Sequence, residues 1–91
     1  MSFQWPAKDP NEILDYSINW VQPLATDTIL TSTWTISDPS LVQTTATNTS
    51  TLATIWLSGG TLNQTYAVKN TIVTAGGRTF DQTVNIKIAS N

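Results

Sequence analysis

The sequence contains no cysteine and no histidine. The first absence excludes a disulfide framework and a thiolate nucleophile; the second excludes an imidazole base, a Ser-His-Asp triad and the ordinary zinc sites. Charge is nearly as scarce, at 11% of residues against about 25% in an average soluble domain. The four bases, Lys8, Lys69, Arg78 and Lys87, face six acids, for a net charge of -2. That balance cannot build the basic stripe that phosphate backbones or anionic membranes require, so neither nucleic acid nor membrane is expected as a partner. Long apolar runs are missing too. Nothing approaches the ~18 residues of a membrane span. The first twenty residues carry Lys8 as their only base and lack the h-region of a signal peptide, so synthesis in the cytosol without export by the general route is expected.

What is present points to a folded β domain. Ninety-one residues make one core, and 40% hydrophobic residues are too many for the disordered class. Hydroxyls and amides replace the charge, with 17 Thr, 8 Ser and 7 Asn. The β-branched Thr suits a half-buried pleated surface better than a helix.

Strand patterns recur between turn residues. Leu14, Tyr16, Ile18 and Trp20 alternate with Asp15, Ser17 and Asn19, one apolar face and one polar, and Pro23 closes this strand. Thr28 to Ile36 places Leu30, Trp34 and Ile36 on the inward face and ends at Ser37-Asp38-Pro39-Ser40. Leu41 to Thr47 is a sparser strand. Thr51 to Leu57 is apolar on both faces and is expected deep in the fold, stopping at Ser58-Gly59-Gly60. Thr65 to Thr74 and Thr79 to Ile88 form a hairpin around Ala75-Gly76-Gly77-Arg78, where Gly76 and Gly77 supply two adjacent residues that tolerate positive φ. Phe80, Val84, Ile86 and Ile88 face inward on the returning strand. Asp9-Pro10-Asn11-Glu12 alone has the layout of a helix start, with room for about one turn.

Six or seven strands at this spacing predict an all-β fold, an immunoglobulin or fibronectin III-like antiparallel β-sandwich of about seven strands. Residues 1–10 read as an extended amino-terminal arm and 11–91 as the single sandwich domain. Leu62 to Asn70 resembles the fibronectin type III segment that carries a tyrosine corner, with Tyr66 in that part; an ordinary buried aromatic is the alternative.

No constellation carries catalysis. The carboxylates Asp9, Glu12, Asp15, Asp27, Asp38 and Asp81 are scattered, with neither the paired spacing of a glycosidase nor the dense oxygen spacing of a calcium loop. Asp27 and Asp38 sit at predicted turns, where an Asp bonds nearby backbone. Gly59-Gly60 and Gly76-Gly77 lack the lysine and helix of a phosphate loop. No cofactor, metal or catalytic residue is expected. The asparagines of Asn48-Thr49-Ser50 and Asn63-Gln64-Thr65 match the glycosylation pattern at about chance frequency. Of the four tryptophans, Trp20, Trp34 and Trp56 fall on expected core positions. Trp5 lies with Phe3 in the arm, either tucked against its own domain or anchoring a partner, and Phe3 and Trp5 are the candidate partner interface.

Taken together, Lys8-Asp9-Pro10-Asn11-Glu12-Ile13-Leu14-Asp15-Tyr16-Ser17-Ile18-Asn19-Trp20, Asp27-Thr28-Ile29 with Ser32-Thr33-Trp34, Trp56-Leu57-Ser58-Gly59-Gly60, and Tyr66-x-Val68-x-Asn70-x-Ile72 with Gly77-Arg78 resemble a family of small tailed-bacteriophage proteins, the fibre-tail adaptors. The resemblance spans roughly residues 5 to 88. It implies a non-enzymatic immunoglobulin-like virion component, made in the host cytoplasm, that attaches tail fibres or neighbouring structural proteins to the particle in multiple, symmetric copies. Its partners would be other phage virion proteins of tail, fibre or capsid. Two other readings stand beside it: a capsid decoration or accessory protein, and a carbohydrate-binding module using Trp5 with exposed Thr and Asn.

Overall fold

The computed structural model describes residues 3–90, with only the backbone of Phe3 included. Seven strands and one helical turn follow in order: β1 (Phe3–Gln4), β2 (Leu14–Asn19), α1 (Val21–Leu24), β3 (Ile29–Ile36), β4 (Leu41–Asn48), β5 (Leu52–Gly59), β6 (Thr65–Thr74) and β7 (Thr79–Lys87). They build two sheets, one of order β1-β7-β6-β3 and one of order β2-β5-β4. All pairings are antiparallel except β1 with β7, which is parallel at Phe3 to Val84 and Gln4 to Asn85. The expectation of a β-sandwich holds, with that one parallel addition at an edge.

Alternation along the strands supplies the layer between the sheets. Tyr16, Ile18, Ala53, Ile55 and Leu57 from one sheet meet Tyr66, Val68, Ile72, Val84 and Ile86 from the other, all buried. The expected hairpin registers along its whole length, from Val73 opposite Thr79 to Thr65 opposite Lys87. A polar link also crosses the core. Trp20 Nε1 donates to Asn70 Oδ1 at 2.9 Å, and Asn70 Nδ2 donates to Ser32 Oγ and Thr33 O, both at 2.9 Å. Asn70 is fully buried, so its amide would be costly without these partners. The residue after β2 is thereby tied to β6 and β3 of the opposite sheet.

Several sequence expectations need correction. Leu30 was placed inward, yet it is 66% exposed and Ile29 is buried instead. A register shift between Ile29 and Thr31 inserts one residue, and an insertion of one flips the side-chain phase of a strand. Trp56 was placed in the core; it is 39% exposed on the outer face of β5, because Ala53, Ile55 and Leu57 already occupy the inner one. Trp34 points inward but is only half-buried, since β3 is an edge strand. The helical turn forms at Val21–Leu24, around Pro23, and not at Asp9 to Glu12. The latter residues do use their capping chemistry: Asp9 Oδ1 accepts the Asn11 N–H and Glu12 Oε1 accepts the Asp9 N–H, but in a turn. Of the two hairpin glycines only Gly77 takes positive φ, at 87°.

Candidate partner interface

Residues 3 to 8 run along β7 as a strap. The Trp5 N–H bonds to Asn85 O at 2.9 Å, the Lys8 N–H to Lys87 O at 3.0 Å, and the Ala89 N–H returns to Lys8 O at 2.8 Å. Trp5 is half-buried and touches both halves of the core, its ring stacked on Tyr16 at 4.8 Å between centroids and tilted against Trp34 at 6.1 Å. The side chain of Phe3 lies outside the described residues. Lys8 holds the other end of the strap. It is fully buried, and its Nζ donates to Gly59 O at 2.8 Å and Asp9 O at 2.9 Å. Burial pushes its pKa below the ordinary lysine value, against the pull of Glu12 and Asp9. No periodicity in the sequence singles out this lysine as buried, and only the fold brings Gly59 to it.

An open groove of about 720 Å³ lies beside the strap, between the β7 edge and β2. Trp5, Ile18 and Val84 contribute apolar surface to it, while Gln4, Gln22 and Gln82 contribute carboxamides; none of its lining residues is charged. Such a lining offers paired donors and acceptors to another neutral surface.

Tyr66, the second residue of β6, is buried, and its hydroxyl accepts the Thr61 N–H at 2.8 Å and shares a hydrogen bond with Ser40 Oγ. It therefore fixes the loop between β5 and β6 to the turn between β3 and β4. Gly60 sits in that loop at φ 96°, where a Cβ would stand 2.7 Å from Ile88 Cγ1.

At the opposite end, Asp27 reaches across to the hairpin. Its carboxylate accepts N–H groups from Thr28 and Gly76 at 2.9 and 3.0 Å and pairs with Arg78 Nη1 at 3.0 Å. The Thr74 hydroxyl, with these donors, holds its pKa down to about 2. A depressed carboxyl contributes stability above its unfolded pKa of about 4 and loses it as pH falls through the folded value. Acid titration between pH 4 and pH 2 should therefore lower the melting temperature, and Asp27→Asn should flatten that part of the profile. An identical slope in the variant would show that other carboxyls govern acid unfolding.

The third surface is β4. After Leu41, which is buried, every residue of the strand is exposed. β4 pairs with β5 on one side only, and the register shifts between Gln43 and Thr45. One strand further in, Trp56 stands on the outer face between Asp15 and Thr45, next to the row formed by Ser17, Thr54 and Thr47. The signal for this surface is present in the chain as an absence: residues 28 to 68 contain one charge, Asp38.

The carboxylates, meanwhile, serve structure. Asp9, Glu12, Asp27 and Asp38 all accept backbone N–H groups in turns, and among the described residues no group of three potential ligands gathers at one point. No helix of the described residues is long and apolar enough to cross a membrane. A search of curated proteins finds no match. Residues 8–87, nearly the whole sandwich, do match a family model, that of the podophage GP4 fiber-tail adaptor protein gp77, and the chain belongs to this family of phage structural adaptors.

Proposed function

We propose that this protein is a non-enzymatic, immunoglobulin-like component of the phage virion that attaches tail fibres or neighbouring structural proteins to the particle. The family match over residues 8–87 carries the proposal. The strand order supports the immunoglobulin-like part. Taken as strands B to G, β2 to β7 fall into a B-E-D sheet and a C-F-G sheet, the constant-type arrangement, and Tyr66 sits at the start of F, where a tyrosine corner belongs.

The contact with other virion proteins is assigned to the strap side of the molecule, to Phe3, the exposed part of Trp5 and the carboxamides of the groove. An aromatic at the centre with neutral polar groups around it has the composition of an interface hot spot. The partner surface that fits is uncharged and rich in hydrogen-bonding groups. Synthesis in the host cytoplasm, followed by assembly in many copies, lets a weak single contact act strongly through effective concentration.

Gln22→Lys with Gln82→Lys tests this without touching the core. Phage carrying both changes should lose fibres or neighbouring proteins from the particle by about tenfold or more, while the purified variant keeps the melting temperature of the parent. Cryo-electron microscopy of the parent particle should place the copies on the tail. Copies on the capsid shell would favour a decoration protein, and normal particle composition in the double variant would move the interface elsewhere.

A further inference from the structure

We propose that the free edge of β4 pairs with β4 of a second copy, antiparallel across a twofold axis, and joins two three-stranded sheets into one of six strands. This contact is separate from the strap side assigned to other virion proteins.

Free sheet edges invite strand addition, and proteins that must avoid it place charges, prolines or short strands there. The edges of this fold are treated unequally. The β7 edge is covered by β1 and by the Lys8 anchor. β2 is six residues long and carries Asp15. β4 is eight residues long, Leu-Val-Gln-Thr-Thr-Ala-Thr-Asn, with no charge and no proline. β3 is also uncharged, but its Ser32, Trp34 and Ile36 are half-buried by its own core, whereas β4 has both faces in solvent from Val42 onward. The strand with the most uncovered surface is thus also one without electrostatic protection.

A second copy suits this edge for a reason of symmetry. In a twofold contact each residue meets the same set of residues, so any charge would meet its like. β4 has none, and its Thr45 and Thr47 can form the cross-strand Thr pairs that stabilise antiparallel ladders. The shift between Gln43 and Thr45 bends the strand but leaves Thr45 to Asn48 in regular register for pairing.

The absence of cysteine makes the test clean, because a single introduced thiol can oxidise only to its own copy. Single variants Val42→Cys, Thr45→Cys, Ala46→Cys and Thr47→Cys, with Leu30→Cys on β3 and Leu62→Cys on a loop as controls, are oxidised in the purified full-length chain. Facing residues of a ladder lie within disulfide reach. One or two adjacent β4 positions should form covalent dimer about tenfold faster than either control, since pairing raises the local thiol concentration. Adding Ala46→Lys to the fastest of the other variants should return it to the control rate. Equal rates at all positions, or the fastest rate at Leu30→Cys, would overturn the proposal. So would β4 thiols that remain monomeric in isolation but are shielded from alkylation in the particle, a result that would assign the edge to a different protein. Because the readout is dimerisation of the isolated chain, it can fail while the adaptor role stands, and the reverse.

Discussion

Trp20→Ala should lower the stability of the domain by about 4 kcal/mol, within the range of about 3–5 kcal/mol for deleting a buried aromatic, and leave it barely folded at 37 °C. Two losses combine. Trp20 is 3% exposed and packs against Phe80 at 6.2 Å between ring centroids, so its removal opens a large cavity. It also donates to Asn70 Oδ1, and a buried amide oxygen deprived of its donor costs about 1–3 kcal/mol. Trp20→Phe keeps one aromatic ring against Phe80 while losing the N–H and part of the indole volume, so its loss should fall between the parent and Trp20→Ala. Since the chain has no disulfide, this hydrogen bond is one of the few specific links between the sheets, and an entire stability of roughly 5–15 kcal/mol is the reference for its loss. Urea denaturation of Trp20→Ala, Trp34→Ala and Trp56→Ala should rank them in that order, the last within about 0.5 kcal/mol of the parent as expected of a surface site. Equal losses for Trp20 and Trp56 would mean that the face assignments of β2 and β5 are wrong.

Lys8→Ala should cost about 2–3 kcal/mol, an uncommon penalty for losing a lysine, which on a surface contributes almost nothing. The aliphatic stem is packed on all sides and the ammonium satisfies the carbonyls of Gly59 and Asp9. Truncation removes the stem contacts and leaves a carbonyl of the β5 terminus without its donor. Lys8→Met restores the stem alone and should recover about half of the loss. The second readout is local: limited proteolysis should cut the strap of Lys8→Ala ahead of global unfolding, because the strap then loses its side-chain anchor to Gly59 and is held by its main-chain bonds and Trp5. A variant as stable and as resistant as the parent would show that Lys8 follows the fold without securing it.

Much of the sandwich was legible in the chain because alternation is a local property. β2, β6 and β7 each keep a strict period of two, so their inward residues, Tyr16 and Ile18, Tyr66 and Val68, Val84 and Ile86, could be read directly. The failures have physical causes that no window of sequence contains. Ile29 and Leu30 are equally apolar, and only pairing with β6 decides which turns inward across the shift. Trp56 sits in an apolar run on both faces, and which face is covered depends on where the second sheet lies. The strap was read as an extended segment, but its ladder joins residues about eighty apart in sequence, and Lys8 gives no hint in composition that it is buried.

The parallel pairing of β1 with β7 also sets an order of events. Trp5 can bond to Asn85, and Lys8 to Lys87 and Ala89, only after residues 85 to 89 have left the ribosome. Until then Tyr16 lacks the ring that stacks on it and Trp34 the one tilted against it. During synthesis the molecule therefore carries an open aromatic slot and an unpaired β7 edge, and docking of the strap closes both. In that interval the strap of a second copy could enter the slot, and docking of the chain's own strap excludes it.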